Sequence, residues 1–150
     1  MKRYLLAVAF GLSGLASFAN ADPQSIKAPY QAKENLRQQY GNVKDVTWKE
    51  AQGNLIRADF VQDGQAITVF YDKTGEPVAT TVVVDKSQLP YRLKTALEKE
   101  LKGQTIEELF YVDAPDQNAY FFSYSDNGKK KVFRAYDNGN IREVSKLLKF

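Results

Sequence analysis

Two spacings of apolar residues follow each other along the chain. From Ser25 to Tyr40, apolar side chains recur every three or four residues and Gly41-Asn42 follows, which predicts a helix with Pro29 in its first turn. From Val43 the apolar residues alternate with polar ones, and glycine-containing turns divide the alternation. Such a pattern predicts four hairpin-linked strands, with the sequences VKDVTW, NLIRADFV, AITVFY and VATTVVV.

The second half of the chain repeats this order. A leucine every fourth residue from Leu89 to Leu101 predicts a second helix, which begins at Ser87 and ends at Gly103. Four further alternating stretches follow, TIEELFYV, AYFFSYS, KVFRAY and IREVSKLL. The stretches GQAITVFYDKTG at 64–75 and GKKKVFRAYDNG at 128–139 then correspond to each other as the third strand of each copy.

This duplication predicts an α+β fold, a tandem repeat of a helix plus a four-stranded antiparallel meander. Joining the two units edge to edge forms one sheet of up to eight strands with both helices on one face, which lengthens the core and hides two strand edges. The predicted boundaries are 22–86 for the first repeat and 87–150 for the second. The face opposite the helices is called the open face below.

Residues 1–21 have the three-part pattern of a secretory signal peptide. Lys2 and Arg3 precede an apolar stretch from Leu5 to Phe18, and Ala19-Asn20-Ala21 is a small-residue cleavage site. A retained membrane anchor is the alternative, but the stretch is short and is interrupted by glycines and serines. We therefore predict cleavage near Ala21-Asp22 and a periplasmic or secreted protein with no stable membrane span.

Composition narrows the classes of function. The chain has 21 basic and 18 acidic residues, and loss of Lys2 and Arg3 with the signal leaves a net charge of only +1, so no nucleic-acid partner is predicted. Histidine and cysteine are both absent, which excludes catalytic triads, the usual zinc sites and disulfides. The turn aspartates lack the spacing of a calcium loop. We predict a protein that is not an enzyme, with no cofactor and no metal.

The order of motifs resembles a known family. Val46-Thr47-Trp48, Ile56-Arg57-Ala58-Asp59-Phe60, Asp63-Gly64 and Tyr71-Asp72-Lys73-Thr74-Gly75 follow one another as in the PepSY-like, beta-lactamase-inhibitor-like exported proteins of Gram-negative bacteria, common in the Bacteroidetes. The resemblance extends over roughly residues 26 to 148. It implies two helix-plus-four-strand repeats and a concave sheet.

The resemblance also implies a kind of function. The beta-lactamase inhibitory protein, a structural relative of that family, binds a protein through such a face, and PepSY domains have been proposed to restrain peptidases. The first hypothesis is therefore an exported, non-enzymatic interaction protein that binds an envelope protein or a peptide through the open face, as an inhibitor or restrainer of an envelope enzyme. The alternative is a periplasmic protein that binds a small ligand or a metal in the cleft between the repeats.

Alternation along the strands predicts which residues face a partner. Trp48 is predicted to be a core residue rather than a platform for a ligand. The side chains predicted to lie on the helix side of the sheet are Ile56, Ala58, Phe60, Ile67, Val69, Tyr71, Tyr120, Phe122, Tyr124, Phe133 and Ala135. The predicted partner-binding residues on the open face are Arg57, Asp59, Thr68, Phe70, Phe121, Ser123, Val132, Arg134 and Tyr136. Mixed aromatic and arginine side chains suit a protein-binding patch. They equally suit cross-strand pairs that only stabilise the sheet.

Overall fold

The structure is a computed structural model that describes residues 26–115 and 117–144. The predicted signal peptide, Asp116 and the end of the last predicted strand lie outside the described residues. Two helices and eight strands form in the predicted order, with short 3₁₀ turns at Gln52–Asn54 and Lys86–Gln88. Their bounds are α1 Tyr30–Tyr40, β1 Thr47–Ala51, β2 Leu55–Gln62, β3 Gln65–Tyr71, β4 Pro77–Val83, α2 Tyr91–Leu101, β5 Glu108–Asp113, β6 Ala119–Asp126, β7 Lys129–Ala135 and β8 Ile141–Glu143.

The eight strands form one open antiparallel sheet in sequence order. The two halves of the chain join where β4 pairs with β5, with Thr80 opposite Asp113 and Val83 opposite Phe110. This pairing removes one edge from each four-stranded half, as edge-to-edge joining requires. The predicted α+β class and the single antiparallel sheet of eight strands with two helices are confirmed.

Both helices begin later than the sequence pattern predicted. Helix α1 begins at Tyr30 and α2 at Tyr91, so the predicted starts at Ser25 and Ser87 were wrong. In each case the residue before the helix is a proline in an extended conformation, with ψ of 145° at Pro29 and 142° at Pro90. The residue before a proline is also driven out of the helical region, and Leu89 is extended with ψ of 144°. Each helix therefore begins after its proline.

The first strand of each half is also displaced from its predicted position. Strand β1 begins at Thr47 rather than Val43, because Asp45 has a φ of 54°, in the left-handed region that an extended strand cannot contain. Strand β5 begins at Glu108 rather than Thr105. Val43 and Val46 still pack against the core from the loop, so their apolar character reflects burial rather than a strand.

The core lies between the helices and one face of the sheet. Leu36 of α1 packs with Ala32 over the first-half strands, and α2 packs its leucines over the second-half strands. The strand residues in these two clusters are Ala58, Phe60, Ile67, Val69 and Tyr71, then Leu109, Phe122, Tyr124, Phe133 and Ala135. The predicted helix side of the sheet is thus confirmed. Trp48 packs against the first cluster, with its ring 5.6 Å from that of Tyr71.

Candidate partner-binding face

The predicted partner-binding residues share the open face in two groups, one on β2 and β3 and the other on and after β6 and β7. Arg57 pairs across the strands with Phe70, and Asp59 with Thr68, so these four side chains project from the same side of β2 and β3. In the second half Phe121 pairs with Arg134, and Ser123 with Val132. Tyr136, which follows β7, packs beside them. Their common location is a finding, and their role in binding stays a prediction.

A charged network occupies the first half of the open face. The Asp59 carboxylate lies 3.1 Å from the Arg57 guanidinium and 3.6 Å from the Lys49 ammonium, and it accepts a hydrogen bond from the Thr68 hydroxyl at 2.8 Å. The charged side chains are between 27% and 29% exposed, so a partner has access to them. Phe70 is half-buried next to Arg57. This half combines a reachable ring with a pair of cations that share one carboxylate.

An apolar cluster occupies the second half of the open face. We call it the open-face cluster; its members are Phe110, Val112, Ala119, Phe121, Val132 and Val144. The rings of Phe110 and Phe121 stack with their centroids 5.7 Å apart. Phe121 is 5% exposed and Val132 is 8% exposed, and Ser123 beside them is fully buried. Three of the nine predicted residues are therefore out of a partner's reach in this structure.

Polar side chains border the open-face cluster. The Ser123 hydroxyl donates to the Glu108 carboxylate at 2.9 Å, and the Lys130 ammonium binds the same carboxylate at 2.7 Å. The Arg134 guanidinium lies 5.9 Å from the centre of the Tyr136 ring, within the range of a cation–π contact. Lys49, Glu108 and Lys130 were missed from the sequence. Extending the alternation into the strands next to β2 and β6 would have found them.

The two faces of the sheet carry opposite net charge. Among the described strand residues, the open face has five basic and two acidic side chains, namely Lys49, Arg57, Lys130, Arg134 and Arg142 against Asp59 and Glu108. The other face of the same strands has two basic and four acidic ones, namely Lys129 and Lys131 against Glu50, Asp113, Asp126 and Glu143. The net positive charge of the sheet is thus concentrated on the open face.

Arg134 and Arg142 form a cross-strand pair at the β7–β8 end of this face. Like charges directly opposite each other destabilise a strand pair. Arg134 is half-buried and Arg142 is exposed, so both remain accessible. An anionic group between the two guanidinium groups would remove this repulsion and accept hydrogen bonds from both.

Neither a proton-transfer centre nor a metal centre emerges from the described part of the chain. Burial raises the pKa of the Tyr71 hydroxyl and, to a smaller extent, that of Tyr111 and Tyr120, so these groups stay protonated at neutral pH. Residues 26–115 and 117–144 contain no group of three acidic side chains close enough to hold a metal ion. Within the same ranges, no helix has the length and apolar character that crossing a bilayer requires.

Two cavities lie at the β1 end of the molecule. One, of about 180 Å³, lies between α1 and Trp48, and the other, of about 360 Å³, lies between Glu50, Ile56 and Lys73. Both are in the first half of the chain and away from the β4–β5 junction. The cleft that the alternative hypothesis needs therefore has no support from these two cavities.

Solved structures share this architecture. A protein assigned to the periplasm of Bacteroides eggerthii DSM 20697 matches with a TM-score of 0.72 and 18% identity, over 79% of this chain and 89% of that one. A DUF2874 family protein from Bacteroides uniformis ATCC 8492 matches with a TM-score of 0.71 and 20% identity, over 80% and 92%. A BLIP-like protein from Bacteroides fragilis NCTC 9343 matches with a TM-score of 0.69 and 18% identity, over 81% and 89%.

Comparisons of sequence, unlike the comparison of structures, give no match. No family model and no curated protein matches the chain. At 17 to 20% sequence identity, the solved structures show a shared fold and nothing further. This chain therefore has the fold of the periplasmic, DUF2874 and BLIP-like proteins of Bacteroides, as the order of its motifs predicted.

Proposed function

We propose that this chain is an exported, non-enzymatic protein that binds an acidic protein or peptide through the open face of its sheet. The observation that carries the proposal is the basic open face, and above all the facing Arg134 and Arg142. Like charges directly opposite each other destabilise a strand pair, and an anionic partner would offset this cost. Periplasmic and BLIP-like proteins with the same fold support export and a binding role.

The reachable parts of the face define how such a partner would bind. Carboxylates of the partner would meet Arg134 and Arg142 at one end and the Lys49–Arg57 pair at the other. Phe70 supplies an apolar contact beside Arg57. An arginine bound to a carboxylate makes two parallel hydrogen bonds, which gives orientation as well as attraction. An inhibitor or restrainer of an envelope enzyme is one form that this function takes.

We include the predicted tandem repeat in this proposal because it accounts for the width of the open face. Duplication of a helix and four strands doubles the width of the sheet, and so produces a face wide enough for a protein partner from a unit too small to offer one. Export follows from the predicted signal peptide at residues 1–21, with cleavage near Ala21-Asp22. The first and second repeats would then comprise residues 22–86 and 87–150.

The experiment is a binding titration with labelled acidic peptides, read by fluorescence anisotropy. The test variant replaces Arg134 and Arg142 with glutamine. The control variant replaces Lys94 and Lys129, which are exposed on the helix side, with glutamine, so both variants lose the same total charge. We expect about a tenfold weaker affinity for the test variant, which corresponds to about 1.4 kcal/mol, and less than a twofold change for the control.

The outcomes separate site-specific binding from general attraction. Equal losses in both variants would mean that net charge alone attracts the peptides, and the open-face proposal would fail. If acidic peptides do not bind at all while envelope proteins are retained by the wild type and lost by the Phe70→Ser variant, the partner binds through apolar contacts and the acidic-partner proposal is wrong. Circular dichroism of each variant verifies that it is folded.

A further inference from the structure

The cavity of about 180 Å³ between α1 and Trp48 has a lining of two chemical types, and we call it the α1–Trp48 cavity. Its apolar side chains are those of Leu36, Val43, Val46 and Trp48, and its charged side chains are those of Lys33 and Arg37. Among the residues that the structure describes, no acidic side chain lines it. An apolar wall with only cations beside it is suited to a ligand that is apolar at one end and anionic at the other.

Trp48 forms the aromatic wall of this cavity. Its ring packs on the first core cluster, with the centroids of Trp48 and Tyr71 5.6 Å apart. Trp48 is nevertheless only half-buried, so this packing does not enclose the whole indole, and Val43 and Val46 beside it are half-buried as well. Apolar surface is therefore available in a concave place, where a bound apolar group would remove it from water.

The two cations lie on one side of α1. Lys33 and Arg37 are one helical turn apart, and like charges at this spacing destabilise a helix. Arg37 is in the last turn, where a cation interacts favourably with the helix dipole, but Lys33 lies a turn earlier, beyond the range of that effect. Glu34 engages one nitrogen of Arg37 at 2.8 Å, and the guanidinium group has further N–H donors. Both cations are exposed, so one anionic group has access to the two of them.

We propose that the α1–Trp48 cavity binds a carboxylate that carries one aromatic ring. The ring would lie against Trp48 and the two valines, and the carboxylate would accept charge-assisted hydrogen bonds from Lys33 and Arg37. The size agrees, since a cavity of about 150 Å³ in another protein accommodates benzene. A free aromatic acid has this chemistry, and so has the C-terminus of a peptide that ends in an aromatic residue.

This inference does not rest on the proposed function. The cavity lies on the helix side of the sheet, whereas the facing arginines Arg134 and Arg142 lie on the open face. The two proposals use different residues, so their experiments fail separately. Glutamine at Arg134 and Arg142 should weaken the binding of acidic peptides and leave the binding of an aromatic carboxylate in the cavity unchanged.

The experiment titrates the whole protein with phenylacetate and follows the fluorescence of tryptophan. Trp48 is the only tryptophan, so the signal comes from the wall of the cavity. We expect saturable binding with a dissociation constant of about 1 mM, the weak range of a ligand with so few atoms. Phenylacetamide has the same shape without the charge and should bind about tenfold more weakly. The NMR signal of the Trp48 indole N–H should shift over the same range of phenylacetate concentration.

Two variants of equal charge test the role of the cations. The test variant is Lys33→Gln, Arg37→Gln, and the control is Lys94→Gln, Lys99→Gln on α2; all four residues are exposed. Each variant loses two positive charges. We expect about tenfold weaker affinity for phenylacetate in the test variant, because the hydrogen bonds to the carboxylate are lost, and less than about a twofold change in the control, where only screened long-range attraction is lost.

A peptide probe, acetyl-glycyl-glycyl-phenylalanine with a free carboxylate, distinguishes the two sources of the ligand. Tighter binding of the peptide than of phenylacetate would identify the C-terminus of a peptide as the source. Tighter binding of phenylacetate would identify a free acid. Either result supports the proposed chemistry of the cavity.

Three results would overturn the inference. No change in the fluorescence and in the indole signal up to about 20 mM of either probe would exclude the site. Equal affinities for phenylacetate and phenylacetamide would exclude the contact with the carboxylate. Equal losses in the test and control variants would mean that net charge, rather than Lys33 and Arg37, attracts the ligand. Circular dichroism verifies that each variant is folded.

Discussion

The turn between β3 and β4 is held against α1 so closely that one methyl group should disrupt it. Gly75 has a φ of 92°, and a Cβ atom placed on it would lie 2.6 Å from the backbone nitrogen of Ala32 and 2.8 Å from the Cβ of Gln31. The Gly75 carbonyl also accepts a hydrogen bond from the Asn35 side chain at 2.9 Å. Alanine at this position would therefore force the turn away from the helix.

The loss of stability in Gly75→Ala has two parts, backbone strain and steric overlap with α1. Substitutions at other glycines with positive φ but different surroundings separate the two. Gly64 has a φ of 78° and no atom within 4 Å of an added Cβ, so Gly64→Ala measures backbone strain alone, about 1–2 kcal/mol. At Gly75 the overlap with α1 adds about 1–3 kcal/mol, the usual cost of overpacking. Gly139, where the added Cβ would lie 3.1 Å from the Arg92 carbonyl oxygen, should fall between the two.

The assay is equilibrium unfolding in urea at pH 7. Trp48 is the only tryptophan and packs against the first core cluster, so its fluorescence reports the first half, and far-UV circular dichroism reports the whole sheet. We expect the free energy of unfolding to decrease in the order Gly64→Ala, Gly139→Ala, Gly75→Ala, with unchanged m-values. If Gly64→Ala is as destabilising as Gly75→Ala, the close packing of turn on helix is wrong.

Three further substitutions test other parts of the structure. Tyr71→Phe removes a buried hydroxyl that has no hydrogen-bond partner among the described residues, so stability in urea should stay the same or rise by about 1 kcal/mol, and a loss of more than that would reveal a missed partner. Asp72 accepts hydrogen bonds from the Thr74 hydroxyl and amide and from the Glu76 amide, which lower the pKa of its carboxyl group. Its contribution is complete above the unfolded-state pKa near 4 and is lost as the pH falls through the lower folded-state pKa. Asp72→Ala should therefore cost about 1 kcal/mol at pH 7 and progressively less as the pH falls below 4, whereas a cost independent of pH would exclude the carboxylate as the cause. Leu97→Ala opens a cavity in the second core cluster and should cost about 2–5 kcal/mol by thermal or urea unfolding, with a cost under 1 kcal/mol arguing against the packing of α2.

The sequence predicted the strands well where turns and alternation agreed. Strands β2, β3, β4, β6 and β7 lie within two residues of their predicted positions, because a glycine turn bounds each of them at one end or at both. The helix starts were wrong because the helical spacing of apolar residues continues through Pro29 and Pro90. Ile26 and Leu89 are apolar for a different reason: each lies in an extended segment that packs next to the sheet or core.

For the open-face residues, the sequence predicted the face on which each side chain lies but not the depth of its burial. Alternation alone determined which side chains share the open face, since the period of a strand is two and the register follows from the turns. It could not determine how deeply each is buried: Phe70 and Phe121 both alternate onto the open face of inner strands, yet only Phe121 is excluded from water. Burial depends on which side chains of other strands and loops pack around a residue, as Phe110 stacks on Phe121, and no local spacing encodes this.

The sequence by itself determined the fold class, the two-fold order of elements and the sides of the sheet, because these depend on local periodicity and turn residues. The tertiary structure alone decided the pairing of β4 with β5, the charge difference between the faces and the facing arginines at the β7–β8 end. These features arise from residues far apart in the chain, so they exist only once the strands have paired. The closing glycines of the two repeated phrases belong to both groups, since the turn requires the residue type and the neighbouring helix requires the absence of a side chain.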